Sequence, residues 1–468
     1  MSRRWWLGAL ALALAGCGGG GKPATVTAQR GVPLFHTVGR GLALTLPGGD
    51  DYVLALVSTA GASGSVTAYL NGGGDLLPPL TVTRAAGRRR HRPQVELPPV
   101  ARAAAARAAS RALPAVGSQR TFAVLEGPTR EVTATLRASG EHCLLYVDNS
   151  TAPGVLTDAD LADLRQQFDS SIYPTDTSVF GPASDVDGNG RLIVLFTPTV
   201  DPNGFGYFYA GDVMSGYGNN ADMFYALVPR PERGDTYASL RTAILATLWH
   251  EFQHLINYNN KVLVRFGSDE ESWLNEGLSF NAEYVGGLLD TDGGPPERVG
   301  RWLSSPESFT LLNRTVPYQH GHAGIGFLFV RWLVERYGQE VLGKLVRSGL
   351  TGVANVEAAT GHPLATLWPR CAAAVYLTGT GLSNDAQCNL ATFNPRGAYE
   401  FGGQLHGPGL TPVDAASGTP RAEVAWARGG VRYLRLTGAP AGGLNLALNS
   451  TDGDNTVVTV IRIPPSTP

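Results

Sequence analysis

The stretch Thr236-Tyr237-Ala238-Ser239-Leu240-Arg241-Thr242-Ala243-Ile244-Leu245-Ala246-Thr247-Leu248-Trp249-His250-Glu251-Phe252-Gln253-His254-Leu255-Ile256-Asn257 decides how this chain is read. Leu240, Ile244, Leu248 and Leu255 recur at helical spacing, so Tyr237–Asn257 reads as a helix with an apolar stripe. Asp235 or Thr236 can cap its start, and Asn259-Asn260 can end it. On such a helix His250 and His254 stand one turn apart on the same face, so both imidazoles can grip one ion. Glu251, beside the first imidazole, can reach a water on that ion. Isolated histidines are usually structural, but this spacing inside an apolar helix points to a metal.

A catalytic zinc takes three protein ligands and keeps one position for water. The third ligand is sought in Trp273-Leu274-Asn275-Glu276-Gly277-Leu278-Ser279, on the next helical segment, Trp273–Gly286. Glu276 is surrounded by Trp273, Leu274, Leu278 and Phe280, and a carboxylate buried there is costly unless it is paired or binds metal. Glu276 is therefore the candidate. Glu270 and Glu271 precede the apolar stretch and read as solvated charges at a helix start. Glu283, two turns further on, reads equally as a group that orients a ligand and as a surface residue.

Outward from this pair, further helices are expected near His322–Tyr337, Gln339–Arg347 and Pro363–Leu377, with an earlier one over Asp158–Ser171. Thr121–Leu125, Val132–Leu136, Leu144–Val147 and Arg191–Phe196 read as strands, the last a continuous apolar run. Residues 121–392 form the mixed α+β centre of the plan. Residues 32–82 alternate apolar and polar side chains between Gly-rich turns, as an N-terminal β module. Residues 83–120, with Arg88-Arg89-Arg90-His91-Arg92, Pro98-Pro99 and an Ala/Arg stretch, read as a linker open to proteolysis. Residues 393–468 read as a C-terminal β-rich module.

The N-terminus speaks about compartment. Arg3 and Arg4 precede the apolar run Trp5–Ala15, which is too short for a membrane span but suits a signal peptide over residues 1–16. Leu14-Ala15-Gly16-Cys17 resembles the lipobox of bacterial lipoproteins, which implies lipidation of Cys17, export, and attachment to the membrane through that lipid. Residues 17–31 then read as a tether. Of the other cysteines, Cys143 sits in a strand and reads as a small buried hydrophobe, while Cys371 and Cys388 form a possible disulfide.

With 468 residues, 43% hydrophobic and 16% charged, the chain has ample material for buried cores, and wholesale disorder is excluded. A formal net charge of −2 argues against a nucleic-acid partner, which calls for a broad basic surface.

The metal motif with Glu276 resembles the gluzincin zinc metallopeptidases. The blocks Asp185-Val186-Asp187-Gly188-Asn189-Gly190, Gly206-Tyr207-Phe208-Tyr209-Ala210-Gly211-Asp212 and Asn220-Ala221-Asp222-Met223-Phe224-Tyr225 are similar to the hyicolysin-type family of secreted neutral metallopeptidases. That resemblance, over Thr121 to Leu382, implies a zincin-like domain: a small sheet, an active-site helix and a C-terminal helical part, flanked by the β-rich modules. It also implies one zinc ion on His250, His254 and Glu276, with Glu251 as general base and a protein or peptide as substrate. Gluzincins further use a Tyr or His to stabilise the oxyanion; Tyr318, His320 and His322 are candidates, His322 being favoured. Asp185-x-Asp187-x-Asn189-Gly190 also looks like the start of a calcium loop. Phe196 occupies the twelfth position where an EF-hand needs glutamate, so an EF-hand fails. The segment reads as an Asx-type turn before a strand, or as a structural calcium site.

The expected function is thus a lipid-anchored zinc endopeptidase. The competing readings are a non-catalytic surface-binding lipoprotein, disfavoured because a zinc-holding fold alone does not need Glu251, and a zinc aminopeptidase, which needs an acidic cluster for the free amine.

Overall fold

The computed structural model describes residues 24–39, 41–59, 64–70, 113–124, 130–200, 204–289, 294–312, 320–397, 407–415, 420–426 and 429–465. The signal segment, Cys17, the Arg88–Arg92 cluster and Tyr318 lie outside these residues. The chain is α+β.

The first strands are β1 (Ala24–Thr25), β2 (Leu34–Thr37), β3 (Leu42–Leu46), β4 (Asp51–Ser58) and β5 (Gly64–Leu70). The centre contributes β6 (Gln119–Val124), β7 (Arg130–Ser139), β8 (Cys143–Asp148), β9 (Leu192–Phe196), β10 (Gly206–Tyr207) and β11 (Met223–Ala226). Its helices are α1 (Asp158–Gln167), α2 (Tyr173–Val179), α3 (Tyr237–Tyr258), α4 (Ser272–Val285), α5 (Pro295–Ser304) and α6 (His320–Tyr337). They are followed by α7 (Glu340–Val346), α8 (Gly352–Thr360) and α9 (Leu364–Leu377). The last strands are β12 (Leu410–Asp414), β13 (Pro420–Trp426), β14 (Val431–Thr437), β15 (Leu444–Ser450) and β16 (Thr456–Ile463).

The central sheet runs β10-β11-β9-β8-β7-β6. Strands β8, β9 and β11 are parallel and buried along their whole length, which explains why their sequences are apolar runs rather than alternations. One face, with Leu145, Val194 and Phe224, meets the helices; the other, with Tyr146, Leu195 and Tyr225, closes a smaller core with Phe122 and Leu136. Cys143 is buried, as a strand residue of its kind should be. At the sheet's end, β10 pairs antiparallel with β11 alone among the described strands.

Helix α3 lies beside β10 because Gly206 lacks a side chain. A Cβ there would stand 2.4 Å from the Tyr225 carbonyl oxygen and 2.5 Å from Thr247 Cγ2. Thr236 caps the helix, its Oγ1 accepting from the Ser239 N–H at 3.1 Å.

The two ends of the chain, expected as separate modules, are one β-sandwich. One sheet has the order β1-β3-β15-β5-β13 and the other β12-β14-β4-β16-β2, so strands from both ends alternate in each. Alternation in sequence specifies a buried face but not the partner strand, which is why the pairing was not legible. Part of the segment read as a tether also belongs here: β1 pairs with β3, and Val26 and Ala28 are buried. Strand β4 is buried on both faces, with Leu54 and Leu56 in the sandwich core and Val53, Ala55 and Val57 against the helical core. Tyr433 donates to the Ala372 carbonyl at 2.8 Å and Trp368 to that of Gly429 at 3.1 Å, fastening the sandwich to α9.

This topology bears on cleavage in the expected linker. With β4 between β14 and β16, a chain cut at Arg88–Arg92 keeps its N-terminal strands locked into the C-terminal sheets. The two fragments should co-elute in native size-exclusion chromatography and part only in denaturant; native separation would contradict the shared sandwich.

Candidate metal centre

From Ile244 to Tyr258, α3 is buried almost all round, and its polar groups gather on one side: His250, Glu251, Gln253, His254 and Asn257. They face α4, which brings Glu276 across. His250 Nε2 and His254 Nε2 lie 3.4 and 3.7 Å from the two Glu276 carboxylate oxygens. Ligand atoms of a tetrahedral zinc at about 2.0–2.1 Å stand roughly 3.3 Å apart, so the three groups fit one ion.

Each ligand is held from behind. Glu283 Oε1 is 2.7 Å from His250 Nδ1, which turns Nε2 toward Glu276. Glu283 is 5% exposed, which decides between its two readings in favour of the orienting role. Ser279 Oγ donates to Gln253 Oε1 at 2.6 Å and lies 3.0 Å from His254 Nδ1; with its own proton committed, it accepts the imidazole's. Asn257 donates to Asn275 at 2.7 Å, tying α3 to α4 one turn further along.

Glu276 depends on a close helix contact. A Cβ at Gly277 would fall 2.8 Å from the Gly326 carbonyl oxygen and 2.9 Å from Val330 Cγ2, so α4 seats on α6 only with glycine there. The turn between α3 and α4 is pinned by Glu270, contrary to its reading as solvated. Its carboxylate is 3.0 Å from the buried Lys261 Nζ and accepts from the Gly352 N–H at 2.6 Å and Asn355 Nδ2 at 2.9 Å. Those partners are remote in sequence, which hid them.

The electrostatics follow from this packing. Burial pulls the His250 pKa down, but hydrogen bonds to Glu276 and Glu283 and the Glu251 charge outweigh it, raising it to about 10. Burial raises Glu276, yet the His250 hydrogen bond and the charges of His254, His250 and Arg298 bring it to about 2. Burial raises the Glu251 pKa, and the charges of His250 and His254 pull against it.

A cavity of about 770 Å³ opens onto the group, lined on one side by Gly204–Phe208 and on the other by α5 residues including Arg298. Sequence reasoning missed α5, and with it Arg298, whose guanidinium stacks on Phe280 at 4.6 Å. Its opening Pro295-Pro296 looks like a break but is favourable in a first helical turn. His320, the first residue of α6, lines the cavity; His322 is not among the lining residues and packs edge-on against Phe309, ring centres 5.3 Å apart. The chain is already helical at His320, two residues before the expected start, and residues two apart on a helix point to different sides. Cys371 and Cys388 are free, buried thiols, the first inside α9 and the second near Asp385.

A histidine pair one turn apart, a glutamate at its side and a carboxylate from the following helix make up the gluzincin zinc pattern. The neutral metalloprotease ShpI of Staphylococcus hyicus is 29% identical over 186 residues, 36% of this chain and 40% of the relative. This chain therefore spans less than half of that curated relative's length. An M1 zinc metallopeptidase from Deinococcus radiodurans, crystallised with a Tyr-Ser-Ala substrate, matches 53% of this chain and 47% of its own at 15% identity, with a TM-score of 0.25. No family model matches the chain.

Replacing Glu283 by alanine should lower zinc affinity by about 10–100-fold, read by competition with a chromogenic chelator, with the far-ultraviolet circular dichroism unchanged. Glu270→Ala leaves the buried Lys261 without its counter-ion, held only by the Ser348 and Leu350 carbonyls, and should cost about 3–5 kcal/mol in urea unfolding.

Proposed function

We propose that this chain is a zinc-dependent endopeptidase, exported and anchored to the membrane by a lipid on Cys17. The observation that carries the catalytic part is the convergence of His250, His254 and Glu276 beside a buried Glu251 in an open cavity. His250, His254 and Glu276 would hold the zinc, which when bound would supply Lewis acidity toward the scissile carbonyl and the attacking water. Glu251 takes the proton from that water and returns it to the leaving amine.

An extended peptide would run along β10, the end strand of the central sheet among the described strands, which lines the cavity. His320 would steady the developing oxyanion, a reading supported by its position in the cavity wall. The aminopeptidase alternative needs carboxylates turned to a free amine. Two cavity carboxylates away from the metal group, Asp269 and Glu297, already accept from the Glu270 N–H and from Arg301. Attachment through Cys17 rests on Arg3-Arg4, the apolar run and the lipobox-like tetrapeptide; among the described residues no helix is long and apolar enough to cross a membrane.

The test is cleavage of unfolded casein by the full chain and by Glu251→Ala. Wild type should cut internally and the variant should lose at least about 100-fold while both hold one zinc. Release of single N-terminal residues would favour the aminopeptidase, and silence from zinc-loaded wild type would sink the peptidase reading.

A further inference from the structure

Away from the metal helices, the Asp185-Val186-Asp187-Gly188-Asn189-Gly190 loop precedes β9 and lies against the start of β11. There Asp222 adds a third carboxylate from a distant part of the chain. One oxygen of each of Asp185, Asp187 and Asp222 lies within 4.8 Å of the other two. We propose that these three carboxylates form a structural calcium site that ties the starts of β9 and β11 together.

Asp222 carries the argument. It is 1% exposed, and its Oδ1 has no hydrogen-bond partner, while Oδ2 accepts from the Val186 N–H at 2.6 Å. A buried carboxylate oxygen without a donor is costly, and two further carboxylates beside it increase the cost unless a cation joins them. Burial, with the charges of Asp187 and Asp185, raises Asp222 to about 6 against the pull of the Val186 N–H and of the nearby Ser184 hydroxyl, whose Oγ stands outside hydrogen-bond geometry. The nearest cationic side chain of the loop is engaged elsewhere: Arg191 donates to the carbonyls of Gly140 and Gly190 at 2.9 and 3.1 Å.

The donor chemistry selects the ion. All three ligands offer carboxylate oxygen, which suits a hard cation rather than zinc. Calcium holds six to eight oxygens at about 2.3–2.6 Å in adaptable geometry, and the exposed side of Asp185 leaves room for water to complete the set. Magnesium demands a tighter octahedron and gives up its water reluctantly. The loop is not an EF-hand, since Phe196 is buried in β9 where such a loop needs its glutamate; Asp222 supplies the missing charge from another strand instead. Because the Asp222 carbonyl also accepts from the Ile193 N–H at 2.8 Å, an ion there braces the parallel pair next to which β10 lies.

The test keeps zinc saturating throughout and uses the full chain. Terbium should bind and luminesce on tyrosine excitation, because Tyr146 and Tyr173 lie close enough to feel the charges of these aspartates. Calcium should quench that signal by displacement where equal magnesium does not. Calcium at a hundred times its dissociation constant should also raise Tm by about 5 °C. Asp222→Asn should lose both responses. The exposed Asp185→Asn, which disturbs no core, should weaken terbium and calcium binding at least tenfold while its circular dichroism stays native. A zinc-loaded wild type with neither response, or an Asp185→Asn chain that responds like wild type, would overturn the site.

Discussion

The molecule is organised around one electrostatic constraint: two imidazoles and three carboxylates crowd together between α3 and α4 at the floor of a cavity. His250, His254, Glu251, Glu276 and Glu283 are each tolerable there only because the others are present. Glu283 and Glu276 bracket His250, and Ser279 and Gln253 occupy the far side of His254. Removing any member leaves a buried partner unsatisfied, so the network specifies the approach of the two helices as well as the chemistry between them.

Meeting that constraint requires backbones to come close. Gly277 lets α4 lie on α6, Gly206 lets α3 lie on β10, and the Lys261–Glu270 pair fixes the turn that joins α3 to α4. The fixed helices then present the metal group to a cavity whose opposite wall is β10. The sandwich made from both chain ends packs behind α9, so the N-terminal strands support the domain carrying the site.

Much of this was legible in the sequence, for definable reasons. Helix α3 and the histidine pair follow from local spacing, because a helix converts spacing directly into a shared face, and Glu276 follows from its apolar neighbours; the cap was narrowed to Asp235 or Thr236, of which Thr236 is the one used. Strands β8 and β9 follow from apolar runs. What escaped depends on distant partners: Glu270 needs Lys261 and Asn355, and β4 needs β14 and β16. The loop reading of Asp185–Gly190 stayed open for the same reason, since Asp222 is not in the loop. His322 was favoured as the residue entering the helix; the chain is already helical at His320, and it is His320 that lines the cavity.

Crystals of the Glu251→Gln chain grown with zinc, measured above and below the zinc absorption edge, give the most direct test of the central claim. One anomalous peak should lie within about 2.0–2.2 Å of His250 Nε2, His254 Nε2 and a Glu276 oxygen, with Glu283 still on His250 Nδ1. Zinc bound elsewhere, or a Glu276 turned away from it, would contradict the account.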